Sequence, residues 1–132
     1  MSELEQKTLK NIPTETFLKE KFRSLGFEQL TDIQKKASPK ILEKKDSLII
    51  APTGSGKTEC TVIPIFSLVS KTKQQGKIKV LYVTPLRALN RDVFRRIIKY
   101  AELEDLTIQI RHGDTSQSVS YTHLTLPTIL LV

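Results

Sequence analysis

The stretch APTGSGKT at residues 51–58 constrains the fold of this chain more than any other part of the sequence. It follows the short apolar run SLIIA, which predicts a buried strand, and it opens a helical segment that runs to about Ser70. Gly54 and Gly56 permit backbone conformations that other residues resist, so successive N–H groups can point at one anion. Strand, glycine-rich turn and helix in this order predict a phosphate-binding loop at a helix N-terminus.

Two side chains at the end of this stretch carry the chemistry that phosphoryl transfer needs. Lys57 brings a positive charge to the terminal phosphates of a nucleotide, and Thr58 brings a hydroxyl ligand for Mg²⁺. We therefore predict catalytic roles for Lys57 and Thr58, with Thr58 also acting as the metal ligand. The alternative is a glycine-rich turn followed by an ordinary helix-capping threonine.

Hydrophobic periodicity divides the rest of the chain into alternating helices and strands. Thr31 and Gln34 have capping-box spacing at the start of the second helix, where Ile33, Ala37 and Ile41 mark the expected core face. Alternating elements predict an α/β fold, with a mostly parallel sheet flanked by helices. The predicted helices span residues 14–26, 31–45, 57–70 and 86–103, and the predicted strands span residues 47–51, 78–83 and 106–110.

Charge and composition indicate which kinds of partner the chain binds and in which cellular compartment it is expected. The formal net charge of +7 and the pI near 9.6 favour polyanions such as nucleotides and nucleic acids. No run is apolar enough to cross a membrane, so no membrane partner is expected. A single cysteine cannot form an internal disulfide, and the first residues lack the apolar core of a signal peptide. The expected location is the cytoplasm.

Four segments in order resemble the motifs of superfamily 2 helicases. LGFEQLTDIQ resembles the Q-motif region, APTGSGKTE resembles motif I, and YVTPLRALNRD resembles motif Ia. RHGDTSQS resembles a downstream segment that contacts nucleic acid through a Gly-Asp pair. Together they look most like the large-helicase-related (Lhr-like) DExH helicases, and the resemblance covers roughly residues 26–118. It implies a truncated RecA-like P-loop NTPase domain that binds ATP and Mg²⁺.

The resemblance also implies roles for individual residues. Gln34 would read the adenine edge of ATP, although a purely structural role as the capping-box residue is an open alternative. Gly113 and Asp114 would act at the nucleic acid, where Asp114 would orient its loop rather than contact phosphate. The residues that would hold the phosphates and Mg²⁺ are Thr53, Gly54, Ser55, Gly56, Lys57 and Thr58, and those that would contact the nucleic-acid backbone are Thr84, Pro85 and Arg87.

The last residues of the chain differ in composition from the rest. Every Lys, Arg, Asp and Glu lies within residues 1–118, and residues 119–132 carry none. The run VSYTHLTLPT at residues 119–128 resembles a translated sequencing-library adapter of the transposon-end type. We therefore expect a partial ATP-binding domain over residues 1–118 and a non-native tail over residues 119–132. A rival interpretation is a buried strand in LTLPTILLV that Pro127 interrupts.

The function that follows is that of an ATP-dependent helicase, coupling ATP hydrolysis to movement along nucleic acid. Its partners would be single-stranded or partly duplex DNA or RNA, and the parent would be a monomer. No acidic DExH motif follows the Gly-Asp pair, so we expect negligible ATPase activity from these 132 residues alone. Two alternatives stay open, namely a P-loop ATPase of another class and a short non-enzymatic module that binds nucleotide or nucleic acid.

Overall fold

The computed structural model describes residues 14–72, 76–84 and 91–110, together with the backbone of residues 128–131. The chain forms two compact units, Met1–Pro64 and Ile65–Val132. Its elements in order are α1 (Thr14–Ser24), α2 (Asp32–Leu42), α3 (Lys57–Ser70), β1 (Ile78–Tyr82), α4 (Arg91–Leu103), β2 (Thr107–Ile110) and β3 (Thr128–Leu131). The predicted alternation of helices and strands is confirmed from α3 to β2, whereas α1, α2 and α3 follow one another with no strand between them in residues 14–72.

Helix α1 forms because its apolar residues recur at helical spacing. Leu18 and Phe22 are both 1% exposed and provide its buried face. The Phe22 ring packs edge-to-face on Phe27 at a centroid distance of 5.7 Å. Gly26 follows the helix at a φ of +94°, a value that glycine adopts without steric cost, and it ends the helix as the sequence predicts.

Helix α2 begins with the predicted capping box and buries a face that the sequence predicts only in part. Thr31 and Gln34 exchange the two reciprocal hydrogen bonds, so the capping-box prediction is confirmed. The buried residues of α2 are Gln34, Ala37 and Ser38, so the expected core position of Ala37 is confirmed, whereas Ile33 and Ile41 are only half-buried. Two of the three carry polar groups that donate to backbone carbonyls near the start of α3, which is why polar side chains are stable there.

The run SLIIA at residues 47–51 is not the buried strand that its composition predicts. Its backbone has no ladder partner among the described residues, and the side chains of Leu48 and Ile50 are 87% and 83% exposed. A strand is stabilised by cross-strand hydrogen bonds and by packing on its faces, whereas this run has no strand partner in the described part of the chain and two of its three large apolar side chains are exposed. The prediction fails because an apolar run specifies a strand only where a neighbouring strand receives it.

The unit Ile65–Val132 contains the sheet. Its strands lie in the order β1–β3–β2, and β3 pairs in parallel with both neighbours. Helix α4 packs against β2, with Ile97, Tyr100 and Ala101 as its buried residues. Parallel pairing and helical connections are the features of α/β proteins, so the predicted fold class is confirmed.

Strand β1 is correctly predicted as a strand but not as a buried one. It lies at one edge of the sheet, and Ile78 and Leu81 are 50% and 59% exposed. An edge strand has a neighbour on one side only, so its side chains are covered less completely than those of a central strand. No helix within the described part of the chain is long and apolar enough to cross a membrane.

Candidate nucleotide-binding site

The glycine-rich loop enters α3 through two residues with positive φ. Gly54 has a φ of +79° and Gly56 a φ of +83°, and α3 begins at the next residue, Lys57. L-residues with a Cβ are strained at these angles, so glycine at both positions is a requirement of the backbone. A loop of this shape at a helix N-terminus presents N–H groups and the positive end of the helix dipole to an anion. The predicted loop-to-helix geometry is therefore present.

The capping residues of α2 also hold this loop in place. The Thr31 hydroxyl donates to the Ser55 carbonyl at 2.9 Å, and the Gln34 amide Nε2 donates to the Gly56 carbonyl at 3.4 Å. The Gln34 Oε1 atom accepts the Thr31 backbone N–H at 2.9 Å, and the Gln34 side chain is only 2% exposed. The structural role that capping-box spacing suggested for Gln34 is thus real, and it extends to the loop itself. Its predicted contact with adenine is not tested by these bonds.

Side chains within the loop bond to the carbonyls at its entry. The Lys57 ammonium donates to the Ala51 carbonyl at 2.6 Å, and the Ser55 hydroxyl donates to the Pro52 carbonyl at 2.6 Å. An ammonium has three N–H donors, so Lys57 keeps donor capacity for phosphate oxygens while it contacts Ala51. These bonds close the loop into a compact turn, with Thr53 and Gly54 exposed at its tip.

The first turns of α3 are buried behind the loop. The Cys60 thiol donates to the Lys57 carbonyl at 3.0 Å, and the Thr61 hydroxyl donates to the Thr58 carbonyl at 2.9 Å. Burial, together with the neighbouring negative charge of Glu59, raises the pKa of the Cys60 thiol to about 11. A thiol with so high a pKa is a poor nucleophile, so Cys60 acts as a small buried hydrophobic residue.

A cavity of about 390 Å³ lies beside the loop, and sequence reasoning missed it. It lies between the start of α2 and the entry of the loop, and Lys36 contributes a cation to its wall. Lys36 stands two residues after Gln34, in a lysine pair that no sequence pattern distinguishes from other solvated charges. The residues that line this cavity are Thr31, Asp32, Ile33, Lys36, Ala51, Pro52 and Ser55.

The predicted site residues divide into three groups. Gln34 and residues 53–58 all belong to the unit Met1–Pro64, and Gln34 contacts the loop directly. Thr84 belongs to the other unit, where it is half-buried just beyond β1. Pro85, Arg87, Gly113 and Asp114 lie outside the described residues. Their predicted contacts with nucleic acid stay predictions.

A glycine-rich phosphate loop at the start of a helix, in an α/β protein with a parallel sheet, defines the class of P-loop nucleotide-binding proteins. The family model described as "DEAD/DEAH box helicase" matches residues 31–132, which include the capping box, the loop and all three strands. The chain belongs to the DEAD/DEAH box helicase family. This membership favours the helicase class over the transporter and kinase classes that share the phosphate loop.

Individual proteins that are similar to this chain are also ATP-dependent helicases. The chain is 33% identical over 118 residues to the ATP-dependent helicase Lhr-Core of Sulfolobus acidocaldarius, covering 80% of this chain and 14% of that protein. It is 29% identical over 116 residues to the ATP-dependent RNA helicase DBP10 of Meyerozyma guilliermondii, covering 87% of this chain and 13% of that protein. The resemblance to Lhr-like helicases is thus confirmed as a similarity, which RNA helicases of another group share.

A solved structure supports the fold. The crystal structure of a hypothetical ATP-dependent RNA helicase from Sulfolobus tokodaii superposes with a TM-score of 0.64 at 27% identity, covering 91% of this chain and 34% of that one. The predicted RecA-like fold is therefore confirmed. The chain spans between about an eighth and a sixth of the length of the curated relatives it matches first.

Proposed function

We propose that this chain is the ATP-binding part of an ATP-dependent nucleic-acid helicase. The observation that carries the proposal is the glycine-rich loop at the start of α3, with positive φ at Gly54 and Gly56 and with Lys57 beside it. In this proposal the loop N–H groups surround the phosphates, and Lys57 neutralises the charge that develops on the transferred group. ATP hydrolysis would drive movement of the intact protein along nucleic acid.

Thr58 is the residue that would hold Mg²⁺. Within the described parts of the chain no group of three or more His, Cys, Asp or Glu side chains could hold a metal ion alone. Mg²⁺ commonly keeps several waters and takes one or two protein ligands together with phosphate oxygens, so a single hydroxyl at the start of α3 is compatible with its chemistry. The ion would supply electrostatic stabilisation of the phosphates.

Nucleotide binding can be tested by titrating the chain with a fluorescent ATP analogue in the presence of Mg²⁺. The substitution Lys57→Ala removes the cation of the loop, and we expect it to weaken binding by about tenfold or more. The control is Lys40→Ala, which removes an exposed lysine from the last turn of α2. If Lys57→Ala and Lys40→Ala bind the analogue equally well, the proposed phosphate site is wrong.

Nucleic acid is the proposed partner, either single-stranded or partly duplex. The net charge of +7 supports a polyanion, and the names of the relatives include both general and RNA helicases. Among the predicted contact residues, Arg87 would pair with a phosphate. We expect Arg87→Ala to reduce the slope of log affinity against log salt by about one for single-stranded RNA, whereas Arg95→Ala on the exposed face of α4 leaves it unchanged. Equal slopes for the two variants would refute the role of Arg87.

The inactivity of these 132 residues as an ATPase is also part of the proposal. Hydrolysis needs carboxylates that hold the metal and orient the attacking water, and residues 119–132 contain no Asp or Glu. We expect phosphate release at the background rate even when the nucleotide analogue binds. Release at the rate of an intact helicase, measured on the purified chain, would contradict this.

The boundary at residue 118 stays a proposal. The absence of charge and the adapter-like run support a non-native origin for residues 119–132, while β3 and the family match both include Thr128–Leu131. Genomic sequencing across the codon for Ser118, without transposon-based library preparation, decides between the two. Divergence at Val119 followed by an acidic motif supports the proposal, and an encoded VSYTHLTLPTILLV overturns it.

A further inference from the structure

Helix α3 contains a proline, Pro64, that leaves one backbone carbonyl of the helix without its usual hydrogen-bond donor. Pro64 lies inside α3 and has no N–H, so the carbonyl four residues earlier, that of Cys60, has no helical donor. Cys60 is fully buried, which keeps water from replacing the missing bond. A buried carbonyl without a donor is destabilising, so the sequence needs a hydrogen-bond donor at this point.

The missing donor is supplied by a side chain of another helix. The hydroxyl of Ser38, a fully buried residue of α2, donates to the Cys60 carbonyl at 3.0 Å. A serine inside a helix usually donates to a carbonyl in the preceding turn of its own helix, and Ser38 bonds across to α3 instead. Pro39 in α2 also lacks an N–H, and the carbonyl that it leaves without a helical donor is that of Lys35. Lys35 is exposed, so water can supply a hydrogen bond there, unlike at the buried Cys60.

Ser38 and Gln34 form two contacts with the same spacing, one to the first turn of α3 and one to the end of the loop that precedes it. They are four residues apart on α2, and their two acceptors, the carbonyls of Gly56 and Cys60, are also four residues apart. Ala37, which lies between them in sequence, is also buried, and its small side chain takes up little space on this face. The two hydrogen bonds between the segments are therefore Gln34 to Gly56 and Ser38 to Cys60.

We propose that Ser38 is a positioning residue for the phosphate-binding loop, acting through the carbonyl orphaned by Pro64. The Cys60 N–H bonds the Gly56 carbonyl at 3.0 Å and its thiol bonds the Lys57 carbonyl at 3.0 Å, so Cys60 is tied to the end of the loop. By holding Cys60, Ser38 fixes the first turn of α3 and the direction of the N–H groups that precede it. This inference rests on the proposed nucleotide binding.

A double-mutant cycle on the full chain tests the proposal. Ser38→Ala removes the donor, and we expect it to weaken binding of a fluorescent ADP analogue by about tenfold. Pro64→Ala restores a backbone N–H that can donate to Cys60, so the double variant S38A/P64A should bind within about twofold of P64A. The control is S38A/P39A, in which the same replacement at the other helical proline restores a donor to Lys35 and should give no rescue.

The outcomes separate the two proposals. If the unsubstituted chain does not bind the analogue, the proposed function and the positioning role both fail. If it binds and S38A binds equally well, or if P39A rescues S38A as well as P64A does, the positioning role alone fails. If S38A alone does not fold, the comparison of P64A with S38A/P64A still tests the proposal, because these two variants differ only in the Ser38 hydroxyl. Nearly equal affinities of those two support the proposal, and a tenfold gap between them overturns it.

Discussion

Residues 52–57 and residues 47–51 adjoin in sequence, yet they are held in different ways. The loop is fixed by hydrogen bonds from Thr31 and Gln34, which lie more than twenty residues earlier, whereas Leu48 and Ile50 are largely exposed and have no strand partner within the described residues. Side chain to backbone bonds need only two nearby groups, so they form within one compact unit. A strand needs a neighbouring strand. The phosphate-binding loop therefore takes its shape although residues 47–51 have no strand partner within the described residues.

The largest expected effect comes from filling the space between the loop and α2. A Cβ added at Gly56 would overlap the Gln34 amide, and the φ of +83° is itself unfavourable for alanine. We expect Gly56→Ala to lower the free energy of unfolding by about 2–4 kcal/mol. The measurement is urea denaturation followed by circular dichroism.

Gly54→Ala is the matched control for this prediction. Gly54 has a similar φ of +79°, but no atom lies within 4 Å of an added Cβ, so only backbone strain remains. We expect it to cost about 1–2 kcal/mol. Equal losses for Gly54→Ala and Gly56→Ala would mean that close approach of the Gln34 amide to the loop contributes nothing.

A smaller effect is expected from removing the hydroxyl that joins the start of α2 to the phosphate-binding loop. Thr31→Ala deletes both the N-cap acceptor of α2 and the donor to the Ser55 carbonyl. The expected loss in free energy of unfolding is about 1 kcal/mol, with weaker nucleotide binding because the loop is less constrained. Thr16→Ala, at an exposed position of α1, should change stability by less than about 0.5 kcal/mol. A loss of equal size at both threonines would contradict the role given to Thr31.

The raised pKa of Cys60 provides a test of how fully the first turn of α3 is buried. Its thiol pKa is raised from 9.0 to about 11, so the folded state holds the thiol proton more tightly than the unfolded state. This contribution to stability is present below pH 9 and is lost as the pH rises through the interval from 9 to about 11. The measurement is the difference in the pH dependence of the free energy of unfolding between the unsubstituted chain and Cys60→Ala.

Thiol alkylation provides a second measurement of the same property. At pH 8, iodoacetamide should label Cys60 much more slowly in the folded chain than in denaturant, since the thiolate is the reactive form and the side chain is buried. Comparable rates in the two states would show that the region behind the loop opens readily. The first turn of α3 and the exposed residues 47–51 would then differ less in solvent access than the structure indicates.

Sequence reasoning predicted the parts of this protein whose causes are local. The spacing of Thr31 and Gln34 predicted the capping box, and the glycines of the loop predicted its positive φ angles. The same spacing could not show that the Gln34 amide reaches Gly56, because that contact depends on how two helices pack. The burial of Ser38 was missed for the same reason, since a serine on a helix reads as a polar residue facing water.

The strands show a second limit of prediction from sequence. β2 was predicted from alternation and is present, whereas residues 47–51 have a stronger apolar run and form no strand. Apolar composition indicates only that a segment can be buried. Whether it pairs depends on other segments of the chain, and no local pattern contains that information.

The smallest expected effect tests the exposed side of the comparison directly. Because the side chains of Leu48 and Ile50 are 87% and 83% exposed, replacing both with glutamine should change the free energy of unfolding by less than about 0.5 kcal/mol. Ile63→Gln, at a position that is 1% exposed in α3, is the control and should cost about 3 kcal/mol or more. A large loss from the double glutamine variant would show that residues 47–51 are buried in the folded chain. Since burial of such a run requires a paired strand, that result would favour the original strand prediction, and the loop and its preceding segment would then be stabilised together.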